Sequence, residues 1–168
     1  IIKLDEKMDH GPILGSTKFE ILNSKQISNP NDQSLKLLNY QILSKKLANL
    51  GADLLIKTLP DFLSNKIKPI PQNDSQATYT KLIKKTDGLI DWNEPVEKIY
   101  RKINAYNPWP GTFFIINSKR FIIEEAHLEK GLLSINKIKP EGKKSMSFTE
   151  FKNGYQYVLT KLPKCVKI

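Results

Sequence analysis

The stretch of residues 99–116 constrains this chain most, because the spacing of its apolar residues changes there from a helical period to a two-residue period. The helical period reaches Tyr106, and Asn107 precedes a proline, which disfavours the helical conformation and ends the helix. The apolar run over 112–116 predicts a strand. We therefore expect an α/β arrangement before this stretch and a small β-barrel after it.

The turn between helix and strand is Asn107-Pro108-Trp109-Pro110-Gly111, which we call the Pro-Trp-Pro corner. Its prolines fix φ on both sides of Trp109, and Gly111 frees the backbone to turn into the strand. We expect Trp109 to be buried as the packing residue of this corner, because large aromatic side chains dominate core energetics. The alternative is a direct catalytic role for Trp109.

The positive charge is concentrated in the second part of the chain. The net charge is +10; residues 1–64 hold 8 basic and 7 acidic residues, whereas residues 65–168 hold 19 and 10. An excess of this kind attracts polyanions such as nucleic acids. A lysine-rich surface that is only solvated is the alternative interpretation.

The composition also excludes some classes of protein. Cys165 is the single cysteine, which excludes an intramolecular disulfide and suits a reducing compartment. Apolar runs stay well short of the roughly 18 residues that a membrane span needs. We expect a cytoplasmic protein without membrane contact. The chain begins with Ile1 instead of methionine, and we expect it to be truncated.

In the first part of the chain, strand-like segments over 1–4 and 13–21 flank an acidic turn. Asn29-Pro30-Asn31-Asp32 breaks the chain, and Asn31 or Asp32 can cap the helix that follows. That helix carries a leucine-rich stripe from Leu35 to Leu54, which must pack against another element. A second helical run covers 55–63, and Gly51 and Pro60 can interrupt or kink the helices. A proline-spaced, lysine-rich linker over 65–86 follows.

In the second part, tight turns and alternating apolar residues predict several elements. Ser147 has the capping-box spacing for a brief helix around Phe148 and Phe151. The other predicted elements are a helix over 95–105, strands over 112–117, 119–128 and 131–138, an edge strand over 155–159, and a basic tail.

Four ordered pieces of the chain resemble the carboxy-terminal half of the methionyl-tRNA formyltransferase family. They are Lys3-Leu4-Asp5-Glu6-Lys7-Met8-Asp9-His10-Gly11-Pro12-Ile13-Leu14, Asp87-Gly88-Leu89-Ile90-Asp91-Trp92, the Pro-Trp-Pro corner, and Lys139-Pro140-Glu141-Gly142-Lys143-Lys144-Ser145-Met146-Ser147. The resemblance implies four regions: the end of a Rossmann-like formyltransferase domain (1–64), a basic linker (65–86), an OB-like barrel (87–154) and a basic tail (155–168). Only 124–131 joins Ile123 to Leu132, a shorter segment than the family usually has, so we expect a reduced or open barrel.

The resemblance also implies a reaction and its partners. Members of this family transfer a formyl group from 10-formyltetrahydrofolate to the amino group of methionine on initiator tRNA, in translation initiation. The implied partners are therefore initiator methionyl-tRNA and folate, the full-length protein is expected to be a monomer, and no metal is implied.

Asp9 is the expected catalytic residue, since it lies in a turn between two apolar segments and matches the family's active-site aspartate. The resemblance pairs this aspartate with an asparagine and a histidine from an earlier segment. Asn-x-His does not occur in this sequence, so we expect the chain alone to be inactive. His10 is not that histidine, and Asp5 is expected to be a solvated turn residue. The alternative for Asp9 is a turn aspartate that satisfies its own backbone.

The resemblance implies that lysines of the linker and of the turn at Gly142 contact the tRNA backbone. These lysines are Lys66, Lys68, Lys84, Lys85, Lys143 and Lys144. Two other functions stay open at this point. One is a different folate-dependent enzyme, such as an amino-sugar formyltransferase or a formyltetrahydrofolate hydrolase; the other is a non-catalytic tRNA-binding module.

Overall fold

The computed structural model describes residues 1–19 and 39–168, which divide into a first unit, residues 1–81, and a second unit, residues 82–168. The first unit thus includes residues 65–81 of the segment that we predicted as a linker. Several sequence predictions lie outside the described residues. They are the end of the strand over 13–21, the break at Asn29–Asp32 with its caps, and the start of the leucine stripe at Leu35 and Leu38.

In the first unit, helix α1 spans Tyr40–Leu63 and begins after Asn39, whose side chain accepts the Ile42 N–H at 2.9 Å. The helix continues through Gly51 and Pro60, so the two helical runs that we predicted form one element. A mid-helix glycine costs only about 1 kcal/mol, and the prolyl carbonyl still accepts the Ser64 N–H. We expected the leucine-rich stripe to be packed, but among its described residues Leu47 is 45% exposed, and Leu50 and Leu54 are only half-buried.

The predicted strands of the first unit occur as single bridges within its described residues. Ile13 pairs antiparallel with both Ile2 and Ile70. Pro12 accepts a hydrogen bond from the Lys3 N–H but has no N–H of its own, so this ladder cannot lengthen there. Ile70 thereby attaches the beginning of the predicted linker to the segment that carries Asp9.

In the second unit, helix α2 spans Val96–Tyr106 and buries Ile99 and Ile103 almost completely. Asn107 has an extended backbone and ends the helix, as the proline that follows it predicts. Thr112 fixes the end of α2 against the next strand, because its hydroxyl donates to the Lys102 carbonyl at 3.1 Å.

The second unit contains a five-stranded mixed sheet that forms a half-barrel. Its strands are β1 (Thr112–Ile116), β2 (Lys119–Glu129), β3 (Leu132–Pro140), β4 (Met146–Ser147) and β5 (Val166–Lys167). The strands β1 to β4 pair antiparallel in chain order, and β5 pairs parallel with β3. The short connection over 124–131 is a continuous hairpin, because β2 and β3 extend through it to the turn at Lys130 and Gly131.

Both predicted hairpin turns form. Asn117 and Ser118 adopt positive φ values of 52° and 59°, and Lys130 and Gly131 adopt 51° and 77°. Two consecutive positive φ values define the type I′ turn, whose twist matches that of paired strands. The order of β1, β2 and β3 therefore follows from local sequence.

The end of the chain is part of this core, and a helix replaces the edge strand that we predicted over 155–159. Helix α3 (Phe148–Gly154) has the predicted capping box and is followed by helix α4 (Gln156–Leu159). Tyr155 stacks on Phe151 with ring centroids 4.6 Å apart, and Val158 is fully buried. The helical period therefore prevails over the alternation of Tyr155, Tyr157 and Leu159.

Candidate functional site

Asp9 lies in the first unit, in a turn between the bridges that involve Ile2 and Ile13. Its φ of 54° is in the left-handed region, which aspartate tolerates better than most residues. Asp9 is exposed and borders a cleft of about 530 Å³, whose walls are largely aliphatic side chains such as Ile13, Leu50 and Leu54. A carboxylate is thus presented at the edge of an apolar cleft.

Gln72 holds the Asp9 turn from the other side. Its side-chain amide donates to the Asp9 carbonyl at 2.8 Å and to the Gly11 carbonyl at 2.7 Å. Sequence reasoning missed Gln72, because nothing in the local pattern shows a contact between residues so far apart in the chain. The contact places the beginning of the predicted linker directly against the candidate catalytic turn.

The His10 imidazole lies between the carboxylates of Asp5 and Asp74. Its Nδ1 is 2.6 Å from Asp5 Oδ2, and its Nε2 is 3.3 Å from Asp74 Oδ1. The hydrogen bond to Asp5, helped by Asp74, raises the pKa of His10 above its ordinary value. The bond from His10, with a further one from the Lys7 N–H, lowers the pKa of Asp5. Asp5 is therefore an ion-pair partner and not only a solvated turn residue.

The lysines of the predicted linker are exposed, and they belong to both units. In the first unit, Lys66 lies 3.6 Å from an Asp61 carboxylate oxygen, and Lys68 is solvent-facing. In the second unit, Lys84 precedes a 3₁₀ turn that spans Lys85–Gly88, and the side chains of Lys84 and Lys85 are both exposed. All four ammonium groups are thus accessible to an anion.

The Pro-Trp-Pro corner corrects one prediction, because Trp109 is 56% exposed and not buried. Trp92 packs against Phe114 instead, with ring centroids 5.7 Å apart. The backbone of the corner is well fixed: Asn107 Nδ2 donates to the Glu124 carbonyl at 2.7 Å, and the Gly111 N–H to the Tyr106 carbonyl at 2.9 Å. The corner therefore projects an indole from a rigid backbone.

Lys143 and Lys144 lie in the turn over 141–145, which we call the basic turn. The Lys143 N–H donates to the Pro140 carbonyl, and Gly142 has a φ of 68°. Ser145 Oγ donates to the Glu124 carboxylate. Since Asn107 also binds Glu124, the structure brings the basic turn and the Pro-Trp-Pro corner to the same residue of β2.

A cleft of about 630 Å³ next to α2 adds basic residues that sequence reasoning did not assign. Lys98, Arg101 and Lys102 line it from the helix, and Asp87 and Glu94 line it from the preceding segment. The i, i+3, i+4 spacing of the three cations was the available signal. Arg101 is exposed, whereas Lys98 pairs with Glu94 at 2.7 Å and Lys102 donates to the Leu89 carbonyl at 2.8 Å.

The described residues offer neither a metal-binding cluster nor a helix that could span a membrane. Residues 1–19 and 39–168 contain no group of three or more His, Cys, Asp or Glu residues that could hold a metal ion. No helix in this part of the chain is long and apolar enough to cross a membrane.

Comparisons with known sequences point to one family. Residues 82–133 match the family described as formyl transferase, C-terminal domain. The chain is 36% identical over 183 residues to the methionyl-tRNA formyltransferase of Dictyoglomus thermophilum, covering 93% of this chain and 54% of that protein. It is 31% identical over 176 residues to the enzyme of Streptococcus equi subsp. equi, covering 92% and 52%. The chain thus spans about half the length of the relatives that it matches.

Solved structures share the fold. Methionyl-tRNA formyltransferase from Clostridium thermocellum matches with a TM-score of 0.57 at 19% identity, covering 83% of this chain and 53% of that one. HypX from Aquifex aeolicus matches with a TM-score of 0.59 at 12% identity, covering 93% and 31%. The sequence matches show that the chain belongs to the methionyl-tRNA formyltransferase family, and the solved structures show the shared fold.

Proposed function

We propose that this chain is the part of a methionyl-tRNA formyltransferase that binds tRNA and contributes an aspartate to the active site. The reaction is transfer of a formyl group from 10-formyltetrahydrofolate to the amino group of methionine on initiator tRNA. The observation that carries the proposal is the match over nearly the whole chain to enzymes of that name.

The charge distribution supports tRNA as the partner. The six lysines that we expect to contact tRNA are all exposed: Lys66, Lys68, Lys84, Lys85, Lys143 and Lys144. Ammonium groups of this kind neutralise phosphates and position a nucleic acid without reading its sequence. Arg101, in the cleft beside α2, adds a guanidinium that can bind a phosphate through two parallel hydrogen bonds.

Asp9 supports the catalytic part of the proposal. An amine that attacks a formyl carbon must lose a proton, and a carboxylate can orient and stabilise the imidazole that accepts it. Gln72 fixes the backbone on which this carboxylate is presented. The asparagine and histidine partners of the family are absent from this sequence, so the chain alone is expected to be inactive.

The described residues do not by themselves fit the folate donor. A pterin ring needs several hydrogen-bond partners, whereas the cleft beside Asp9 is lined mainly by aliphatic groups, and the Gln72 amide already donates to two carbonyls. The donor is therefore assigned from the family alone.

Filter binding of initiator methionyl-tRNA over a salt series tests the proposal. We expect tight binding at low salt that weakens steeply as salt rises, because each neutralised phosphate releases a counterion. Absence of binding at low salt would favour an amino-sugar formyltransferase or a formyltetrahydrofolate hydrolase. Formyl transfer by the chain alone would contradict the expectation that its active site is incomplete.

A further inference from the structure

Trp109 is exposed although its neighbours are held in place. More than half of its surface is accessible, whereas Phe114 and Phe121, which stack in the core, are 2% and 0% exposed. The apolar interior of the second unit is thus filled without this indole. An aromatic ring of this size on the surface is available to a ligand.

A ligand that binds the indole of Trp109 loses little affinity to backbone ordering, because the backbone of the corner is already ordered. Pro108 and Pro110 fix φ on either side of it, and hydrogen bonds from Asn107 and Gly111 anchor both ends of the corner. A ligand that stacks on a ring carried by an ordered backbone does not have to order a loop first, so more of the contact energy contributes to affinity.

The basic turn is anchored beside the corner. The Glu141 N–H donates to the Arg120 carbonyl at 2.8 Å, and the Arg120 N–H donates to the Glu141 carboxylate at 3.0 Å. At its other end, Ser145 binds the Glu124 carboxylate, and the Glu124 carbonyl accepts from the corner. Lys143 and Lys144 are exposed between these two attachments.

An exposed aromatic ring and a pair of exposed lysines, on two turns that are both anchored to Glu124, suit a single-stranded nucleic acid, in which a base stacks on the ring and the phosphates contact the cations. The flat face of a base is accessible only where the strand is unstacked, so a continuous duplex does not offer it. We propose that Trp109 stacks on an unpaired base of the bound tRNA while Lys143 and Lys144 contact adjacent phosphates. This inference rests on the tRNA binding proposed above and adds a contact to it.

Tryptophan fluorescence tests the inference on the chain itself, which has two tryptophans. Trp92 packs against the core and supplies a constant background. We expect titration with tRNA to quench the fluorescence of the wild type, and Trp109→Phe to lose the quenching while it keeps most of the affinity. Trp109→Ala should weaken binding roughly tenfold or more, the loss expected for one stacked base. Ile115→Ala, which alters another exposed apolar residue of the same unit, should bind like the wild type.

The outcomes separate this inference from the proposed function. If the wild type does not bind tRNA, the proposed function fails. If tRNA binds with a steep salt dependence but Trp109→Ala binds equally well, only the stacking is wrong. Equal quenching by a blunt RNA duplex also overturns the stacking. Quenching by vesicles of phosphatidylcholine and phosphatidylserine, without quenching by tRNA, would instead identify a membrane surface as the partner.

Discussion

Gln72 donates both hydrogens of its side-chain amide to the turn that carries Asp9, at 2.8 Å to the Asp9 carbonyl and 2.7 Å to the Gly11 carbonyl. The Ile13–Ile70 bridge and the His10–Asp74 pair lie on either side of this contact. The segment 70–74 therefore acts as a clamp on the candidate catalytic turn, although it belongs to a region that reads as a linker in the sequence.

Replacing Gln72 by alanine should loosen the Asp9 turn. The change removes two hydrogen bonds, which together stabilise by about 1–2 kcal/mol. Hydrogen exchange of the Lys3 amide, which donates to the Pro12 carbonyl, should accelerate severalfold. Gln76→Ala, on an exposed side chain of the adjacent 3₁₀ turn, is the matched control. Equal protection in both variants would show that Gln72 does not hold the turn.

The Asp5–His10 pair should make the first unit sensitive to pH. The folded pKa of His10 lies above its ordinary 6.5, so the protonated pair stabilises fully below about pH 6.5, and this contribution is lost as pH rises through the folded pKa. The folded pKa of Asp5 is lowered, so its contribution is lost at the acidic end as pH falls through that pKa.

An NMR titration of the His10 ring measures this coupling. Asp5→Asn should lower the pKa of His10 towards its ordinary value, and Asp74→Asn should lower it less, because the Asp5 hydrogen bond is the larger cause. Asp53→Asn, an exposed carboxylate on α1, should leave the titration midpoint unchanged. A midpoint that did not move in Asp5→Asn would show that the hydrogen bond to Asp5 does not raise the pKa of His10.

Gly88→Ala should destabilise the second unit. A Cβ at Gly88 would lie 2.0 Å from the Gly111 carbonyl oxygen, and backbone on both sides must shift to admit it. Overpacking of this kind costs about 1–3 kcal/mol in denaturant unfolding. Gly154→Ala, at the end of α3 with open space around it, should be neutral or stabilising. Equal stability of the two variants would contradict the close approach of the corner to residue 88.

Val158→Ala tests whether the end of the chain belongs to the core. Val158 is fully buried, and losing two methyl groups at about 0.8 kcal/mol each should destabilise by roughly 1.5 kcal/mol. Ile168→Ala, on a side chain that is 57% exposed, should change stability by a few tenths. Thermal unfolding of both variants compares them directly; a neutral Val158→Ala would mean that residues 155–168 are dispensable for the fold.

Local signals predicted the second unit well. The proline after Asn107 ended α2, the turn residues placed both hairpins, and Ser147 with Glu150 capped α3. These features depend on residues near each other in the chain, so the sequence contains their physical cause.

The wrong and missing predictions arise where long-range packing or contacts decide the structure, or where two local patterns conflict. Burial of Trp109 was expected from its size, but Trp92 packs in the core against Phe114. The spacing of Phe151, Tyr155 and Val158 favours the helix α4 that forms, but the alternation of residues 155–159 favoured the strand that we predicted. The clamp by Gln72 had no local signal at all, since its partners lie in the opening turn of the chain.

The salt dependence of tRNA binding tests the central claim most directly. The logarithm of the affinity should fall linearly with the logarithm of the salt concentration, with a slope of roughly −0.9 for each phosphate neutralised. The double variant Lys143→Ala and Lys144→Ala should bind more weakly, with a slope shallower by about 1 to 2, whereas Lys45→Ala with Lys57→Ala, which removes the same charge from α1, should match the wild type. Binding that does not depend on salt, or an equal loss in both double variants, would contradict a tRNA-binding surface in the second unit.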